Sequence, residues 1–411
     1  WGLNAALYGL RSERNLGVGD FADLARAARI FGSVGAGFLG INPVHALGWA
    51  DHGVISPYSP SHRGFLNAMY IAADQIFGVD QPESIQNIIS SEGSDIAALR
   101  ASETVPYGRY NERQRRLLQA AFEAFESASN TCEQTELDRF CTERGEALSK
   151  FALFEAISEV HGPDWRNWPE DLRDANGPGA QAIRVQLADR IRFHSWLQWV
   201  AERQLGAAQG QAKTSGMALG LYLDLAVGSR RGGAETWCET ETVAQGVSIG
   251  APPDHLSPDG QKWNLAAFAP EKLFQNKYQA FRHTISEAMR YAGVLRIDHV
   301  LGLNRSFWIP DDGSPGGYIR QPFEALLAIV AIEAERANTV VIGEDLGLVP
   351  QGFREALAAR GLYSYSVLQY EKNDEGHFRD PATLRDQSLA CFGTHDTPTL
   401  AGWRAEVLRR W

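Results

Sequence analysis

Short apolar runs rich in β-branched and aromatic residues recur along the chain, and most are followed by a segment with apolar residues at three- and four-residue spacing. The runs predict strands at 3–8, 38–42, 217–224, 294–298, 339–344, 364–369 and 389–394. Helical spacing follows the first run at 21–31 and precedes the fifth at 322–337. Strands that alternate with helices pair in parallel, because each return crosses over through a helix. Several predicted strands end on a polar or ionisable residue, the position from which a parallel barrel presents its chemistry.

Seven such units are predicted, and a closed barrel of this kind needs eight. The chain begins at Trp1 and stops at Trp411 inside a helical pattern, A-G-W-R-A-E-V-L-R-R-W. The expected fold class is therefore α/β, a (β/α)8 TIM barrel whose eighth βα unit lies beyond the C-terminal end, in a portion of a longer protein. Between the second and third strands lie about 170 residues of mostly helical pattern, with helices predicted at 115–128, 133–160 and 180–207. Gly162-Pro163 and Gly177-Pro178-Gly179 mark turns among them. The expected division is residues 1–75 for the first two barrel units, 76–210 for a helical insertion subdomain and 211–411 for strands three to seven with their loops. Loops of this length at the C-terminal face of a barrel shape the substrate cleft.

Composition narrows the function classes. The 411 residues can bury a full core, and 44% hydrophobic with 22% charged residues is the balance of a compact globular chain. A net charge of −11 has the wrong sign for a polyphosphate partner, so nucleic acid is not expected. Four scattered cysteines (Cys132, Cys141, Cys238 and Cys391) form no disulfide framework and no C-x-x-C pair, as in a reducing compartment. With no run of 18 apolar residues and no secretory leader pattern, no membrane partner and a cytoplasmic location are expected.

Gly35-x-Gly37-x-x-Gly40 matches the dinucleotide fingerprint as a string. Here a helix precedes and a strand follows, whereas phosphate binding needs the reverse, so the string reads as a glycine-rich turn. There is no Walker A sequence, no G-x-S-x-G and no H-E-x-x-H, and the ten histidines show no metal spacing. Neither a metal nor a cofactor is expected.

Three carboxylates stand at the ends of the fourth, fifth and seventh strands. In Leu295-Arg296-Ile297-Asp298-His299, Arg296 and Asp298 project to the same side, so the guanidinium holds the carboxylate ionised, as a nucleophile requires. A structural ion pair is the alternative. Val340-Val341-Ile342-Gly343-Glu344-Asp345-Leu346-Gly347 carries a buried strand into two acids; burial raises a carboxyl's pKa and suits Glu344 to act as a general acid. The plain alternative there is a helix cap. Cys391-Phe392-Gly393-Thr394-His395-Asp396-Thr397 ends the last strand with groups that can hold a distorted sugar ring, or with an N-cap Asp before Thr397-Pro398. Taken together, three carboxylates at equivalent strand ends describe a site in which two can flank a glycosidic bond. Tyr58 in S-P-Y-S-P and Trp263 in G-Q-K-W are loop aromatics on which sugar faces can stack, or simple loop anchors.

These motifs resemble one family closely, the 4-α-glucanotransferases known as amylomaltases or disproportionating enzymes, relatives of the α-amylases. The resemblance runs through W-G-L-N-A-A-L-Y-G-L-R-S, I-N-P-V-H-A-L, S-P-Y-S-P-S-H-R-G-F-L-N, L-Y-L-D-L-A-V-G and the three carboxylate motifs. It is most specific in G-A-P-P-D-H-L-S-P-D-G-Q-K-W. The resemblance implies a retaining double displacement, with Asp298 as nucleophile, Glu344 as acid/base and Asp396 as transition-state stabiliser. It implies sugar contacts for Arg296, His395, Asp224 and Tyr58. Pro252, Asp254 and Trp263 then belong to a loop arching over the acceptor side. The partners implied are malto-oligosaccharides and α-glucans. After Trp263 the chain departs from its relatives, with Asn264-Leu265-Ala266-Ala267 where they usually carry a glycine and often prolines. An α-glucan hydrolase of the amylase type and an inactive glucan-binding barrel are the alternative functions.

Overall fold

The computed structural model describes residues 1–78, 80–128, 131–253, 258–373, 375–394 and 396–410. Seven parallel strands run through it in sequence order: β1 (Gly2–Ala5), β2 (Phe38–Ile41), β5 (Gly220–Leu225), β8 (Val294–Ile297), β11 (Val340–Gly343), β12 (Ser364–Val367) and β13 (Ser388–Cys391). The first five form one sheet in the order β1-β2-β5-β8-β11, and β12 pairs with β13. An isolated parallel bridge between Ile342 and Tyr363 joins the two sets. Gly343 N donates to Tyr363 O at 2.8 Å and Tyr363 N to Val341 O at 2.9 Å. Every residue of β5, β8 and β12 is buried, the pattern of strands covered on both faces by parallel architecture.

The predicted strands are all present, trimmed by one to three residues at an end, and three of them reach one residue further at the other. Helices follow as expected: α1 (Phe21–Ser33) after the first strand and α11 (Phe323–Ala337) before β11. Asp20 caps α1 in a capping box, accepting from Ala22 N and Asp23 N at 3.0 Å each while Asp23 takes Asp20 N in return.

Between β2 and β5 the chain first makes a short hairpin of β3 (His45–Ala46) and β4 (His62–Leu66), whose loop carries Tyr58. It then runs through α2 (Glu83–Ser91), α3 (Gly93–Ala101), α4 (Tyr107–Ser127), α5 (Thr131–His161), α6 (Pro178–Gln186) and α7 (Ala188–Thr214). Two expected helices are broken. α5 leaves helical geometry at Gly145 (φ 55°), a conformation glycine adopts without steric cost. The 180–207 segment is two helices meeting at Leu187, and no residue in the sequence marks that break. Helix α7 packs against both α1 and α5, so the helical stretch and the first barrel unit share a core. Phe65 of β4 stacks on Phe151 of α5 with centroids 4.1 Å apart, anchoring the hairpin to the helices. No helix among the described residues is long and apolar enough to cross a membrane.

A four-stranded antiparallel sheet, which the sequence pattern did not suggest, stands over the strand ends. It consists of β6 (Val247–Ala251), β7 (Gln261–Leu265), β9 (Arg305–Pro310) and β10 (Gly317–Arg320), in the order β10-β9-β6-β7. The remaining helices are α8 (Ala234–Cys238), α9 (Pro270–Gln275), α10 (Gln279–Met289), α12 (Phe353–Ala358) and α13 (Leu400–Arg410).

Candidate active site

Parallel register puts Asp224 of β5 directly beside Arg296 of β8. Arg296 Nη1 donates to both Asp224 oxygens, at 2.7 and 2.9 Å, and Nη2 donates to Asp298 Oδ1 at 2.7 Å. Burial disfavours a charged guanidinium, yet the charges of Asp224 and Asp298 outweigh that cost and hold Arg296 protonated well beyond its usual range. The face of the Tyr365 ring lies 5.6 Å from the guanidinium carbon. Tyr58 reaches in from the β3–β4 loop and donates its hydroxyl to Asp224 Oδ2 at 2.9 Å. One buried cation thus organises three of the predicted residues.

Glu344 follows β11 as Asp298 follows β8, and its backbone N–H donates to Ile297 O at 3.0 Å, which places the two carboxyls on neighbouring strand ends. Its Oε2 accepts from His299 N and its Oε1 from Leu346 N, both at 2.9 Å. Burial pushes the Glu344 carboxyl above the usual range, opposed by Arg296 and by these two amide bonds. The adjacent Asp345 is fully buried and serves a different purpose: it accepts from Tyr365 N at 2.9 Å and from Arg354 Nε at 2.5 Å, tying β11 to β12. Asp396 is exposed, its N–H bonded to Thr394 Oγ1 at 3.1 Å. It does not cap the helix that follows, because α13 starts at Leu400 and Thr399 Oγ1 accepts from Gly402 N at 3.2 Å.

A cleft of about 700 Å³ brings Tyr58, Trp263, Asp298, Glu344 and Asp396 to one surface. This volume lies within the range of small-molecule sites. Asp224 and Arg296 stand behind that surface, linked to it through Tyr58 and Asp298. Pro252 lies just past β6, half-buried and off the lining of the cleft. His395 and Asp254 fall outside the described residues.

Three cleft features were not foreseen. His299 lines the cleft with its backbone in the left-handed region (φ 47°) and its ring edge-on to Trp263 at 5.3 Å. Burial pushes its imidazole down to about 4. Gln261 accepts from Trp263 Nε1 at 3.0 Å. The third stands off the cleft lining: the Tyr370 hydroxyl is pushed up by burial, with the charges of Asp396 and Glu344 adding to the shift. The first two were legible as neighbours of the chosen motifs, R-I-D-H and G-Q-K-W; Tyr370 carried no such signal.

Trp263 owes its aim to a bulge. The β6–β7 register pairs Gly250 with Lys262 and Ile249 with Leu265, leaving Trp263 and Asn264 as extra residues. Asn264 takes φ 58°, the conformation for which glycine is the ordinary choice and asparagine the next. Asparagine therefore supplies at the bulge a backbone turn that other side chains adopt only at a cost.

The profile of the 4-alpha-glucanotransferase family matches residues 5–410. A 4-alpha-glucanotransferase of Mycobacterium tuberculosis is 38% identical over 98% of the chain, which spans 57% of that protein. The crystal structure of amylomaltase from Corynebacterium glutamicum superposes over 100% of the chain and 57% of its own, with a TM-score of 0.85 and 33% identity. An amylomaltase from Streptococcus agalactiae shares the fold with a TM-score of 0.83 at 21% identity, covering 98% of this chain and 80% of its own. The chain thus spans a little over half the length of the first two of these relatives. With the paired strand-end carboxylates, the buried Arg296 and a match over nearly every residue, this chain belongs to the 4-alpha-glucanotransferase family.

Proposed function

We propose that this chain carries the catalytic machinery of an enzyme that moves α-1,4-glucan segments between malto-oligosaccharides by a retaining double displacement. The observation that carries the reading is the cleft with two unlike carboxyls on adjacent strand ends: Asp298 bonded to a buried cation and Glu344 raised above the usual carboxyl range by burial. Asp298 attacks the anomeric carbon while Glu344 gives its proton to the departing glycosidic oxygen, leaving a glucosyl ester on Asp298. Glu344, now ionised, takes the proton from the 4-hydroxyl of an incoming glucan, whose oxygen displaces Asp298. Asp396 supplies negative charge to the oxocarbenium-like transition state, and Arg296, Asp224 and Tyr58 orient the reacting sugar. On the resemblance alone, His395 contacts the same ring, while Pro252 and Asp254 belong with Trp263 to the acceptor side. Retention asks for about 5–5.5 Å between the Asp298 and Glu344 carboxyls in the sugar complex.

The fold is proposed to be an eight-stranded barrel with residues 76–210 inserted between its second and third strands. Seven parallel strands in sequence order, and the likeness to amylomaltase over the whole chain, support that reading. Free thiols at Cys132, Cys141, Cys238 and Cys391 support a reducing, cytoplasmic setting. The test is incubation of the full-length protein with maltotriose and separation of products by chain length over time. Glucose together with chains longer than three is expected, because hydrolysis cannot lengthen a chain. Glucose and maltose alone would replace this reading with a hydrolase.

A further inference from the structure

Tyr58 reaches the site from residues 47–61, the loop between β3 and β4. Packing does little to fix this loop, because His52, Gly53, Ile55 and Ser56 are exposed. Yet Ser56, Tyr58 and Ser59 line the cleft, and the Tyr58 hydroxyl meets Asp224 at hydrogen-bond distance. The bonds that hold the loop are polar, and a residue that the mechanism above does not use gathers several of them.

Arg230 lies in the connection from β5 to α8. Its guanidinium forks onto the first half of the loop: Nη1 pairs with Asp51 Oδ2, and Nη2 donates to Leu47 O at 2.5 Å. Asp51 closes the turn with its other oxygen, Oδ1, which accepts from Gly53 N at 3.0 Å and from Val54 N at 3.2 Å. The backbone of Arg230 takes the far end of the loop, its N–H donating to Pro60 O at 2.7 Å. Arg230 also forms an antiparallel bridge with Leu265 of β7, and the neighbouring Ser229 O accepts from Ala266 N at 2.8 Å. Leu265 and Trp263 line the same cleft. One residue thus joins both ends of the Tyr58 loop, the segment that continues from β5, and the ribbon that carries Trp263.

Side-chain exposures of 20% for Arg230 and 13% for Asp51 leave this pair largely shielded from solvent. A guanidinium fork there fixes direction as well as distance, which a point charge does not. The start of the loop is tied separately to the helical stretch. Trp49 N donates to Glu155 Oε2 of α5 at 2.6 Å, and Trp49 O accepts from Arg115 Nε and Nη2 of α4 at 3.1 and 2.9 Å. Those bonds face the helices, whereas Arg230 registers the loop against β5, where Asp224 stands.

We propose that Arg230 is a positioning residue for the reaction: it locks the Tyr58 loop to the segments that follow β5 and form β7, so that Tyr58 is in place before sugar enters. The proposal rests on the reading of the cleft as a glucan-acting site. With the fork in place, binding need not order the loop; without it, that ordering cost is subtracted from binding and appears as a raised KM.

The test is steady-state kinetics of the full-length protein with maltotriose. Arg230→Met, which keeps the length of the side chain and removes its donors, is expected to raise KM roughly fivefold. KM does not depend on how much of the enzyme is folded, so a loss of stability alone leaves it unmoved. In a Tyr58→Ala background the same substitution is expected to change KM less than about twofold, because the residue it positions is gone. Asp51→Asn keeps Oδ1 as the acceptor of the turn while withdrawing the charge that faces Arg230, and gives a smaller rise with the same dependence on Tyr58 should the first variant fold poorly. An unchanged KM in both variants, or an equal rise with and without Tyr58, overturns the proposal. Failure of the function reading shows separately, as wild-type products no longer than the substrate.

Discussion

Charge at the site is set by one residue, Arg296, and by what confines it. Its two ends bind Asp224 and Asp298, and these ion pairs are nearly out of solvent, with side-chain exposures of 5%, 6% and 14% for Arg296, Asp224 and Asp298. In that setting the guanidinium anchors Asp298 through Oδ1 and so fixes the orientation of its carboxylate. The remaining degree of freedom, tilt of the guanidinium plane, is limited by the Tyr365 ring beneath it. A buried cation over an aromatic face is worth about 1–2 kcal/mol. Tyr365 therefore acts as a positioning residue, and Tyr365→Leu is expected to lower kcat/KM for maltotriose roughly tenfold by loosening the guanidinium. Tyr365→Phe keeps the ring and restores activity, a rescue that a role for the hydroxyl would not give. Steady-state kinetics of the two variants, with thermal unfolding to check the fold, reads the difference.

Among the elements, the β6–β7 ribbon brings Gln261, Trp263 and Leu265 to the cleft, and its form depends on Asn264. The left-handed backbone there costs an ordinary residue about 1–2 kcal/mol. Asn264→Gly is expected to leave stability and kinetics nearly unchanged, while Asn264→Val should lower stability by about that amount and raise KM for the acceptor sugar. Denaturant unfolding and acceptor-concentration series check both; a harmless valine would show that the bulge does not aim Trp263. This ribbon also marks where the sequence stopped being readable. The inner parallel strands were legible because burial on both faces makes them continuous apolar runs, such as Gly220–Leu225. Strands β7 and β10 are largely exposed on their edges, so Gln261–Leu265 and Gly317–Arg320 carry no apolar run to detect. Site residues were legible where they end such runs, as Asp298 and Glu344 do. His299 and Gln261 could be picked out only as neighbours of those motifs, because neither the left-handed backbone of His299 nor the exposed strand that carries Gln261 leaves a periodic trace.

For the molecule as a whole, buried titratable groups set how stability varies with pH. Burial holds the imidazoles of His45, His62 and His299 down to about 4, 3 and 4. Unfolded, they take a proton below about 6.5, so each removes stability as pH falls from there toward its folded value. Burial acts oppositely on carboxyls, and Asp20, Glu155 and Glu239 are pushed up to about 6, 7 and 7. They hold protons when folded that the unfolded chain releases above about 4, so their contribution to stability is present at low pH and is lost as pH rises through 6 to 7. The two sets are displaced by similar amounts with opposite sign, and between pH 7 and about 4.5 they nearly cancel. Below that window the ion-paired acids take over: Arg63 holds Glu235 down to about 2 against its burial, so its stabilisation is lost as pH falls from about 4.3 toward 2. A urea midpoint that is level from pH 7 to about 4.5 and then drops is the expected profile. Glu155→Gln removes one of the compensating acids from a fully buried site. Its profile should tilt, losing on the order of 2 kcal/mol between pH 7 and 5 relative to the parent. If the variant's profile stayed parallel to the parent's across that range, the balance between buried imidazoles and buried carboxyls would not be what keeps the parent level.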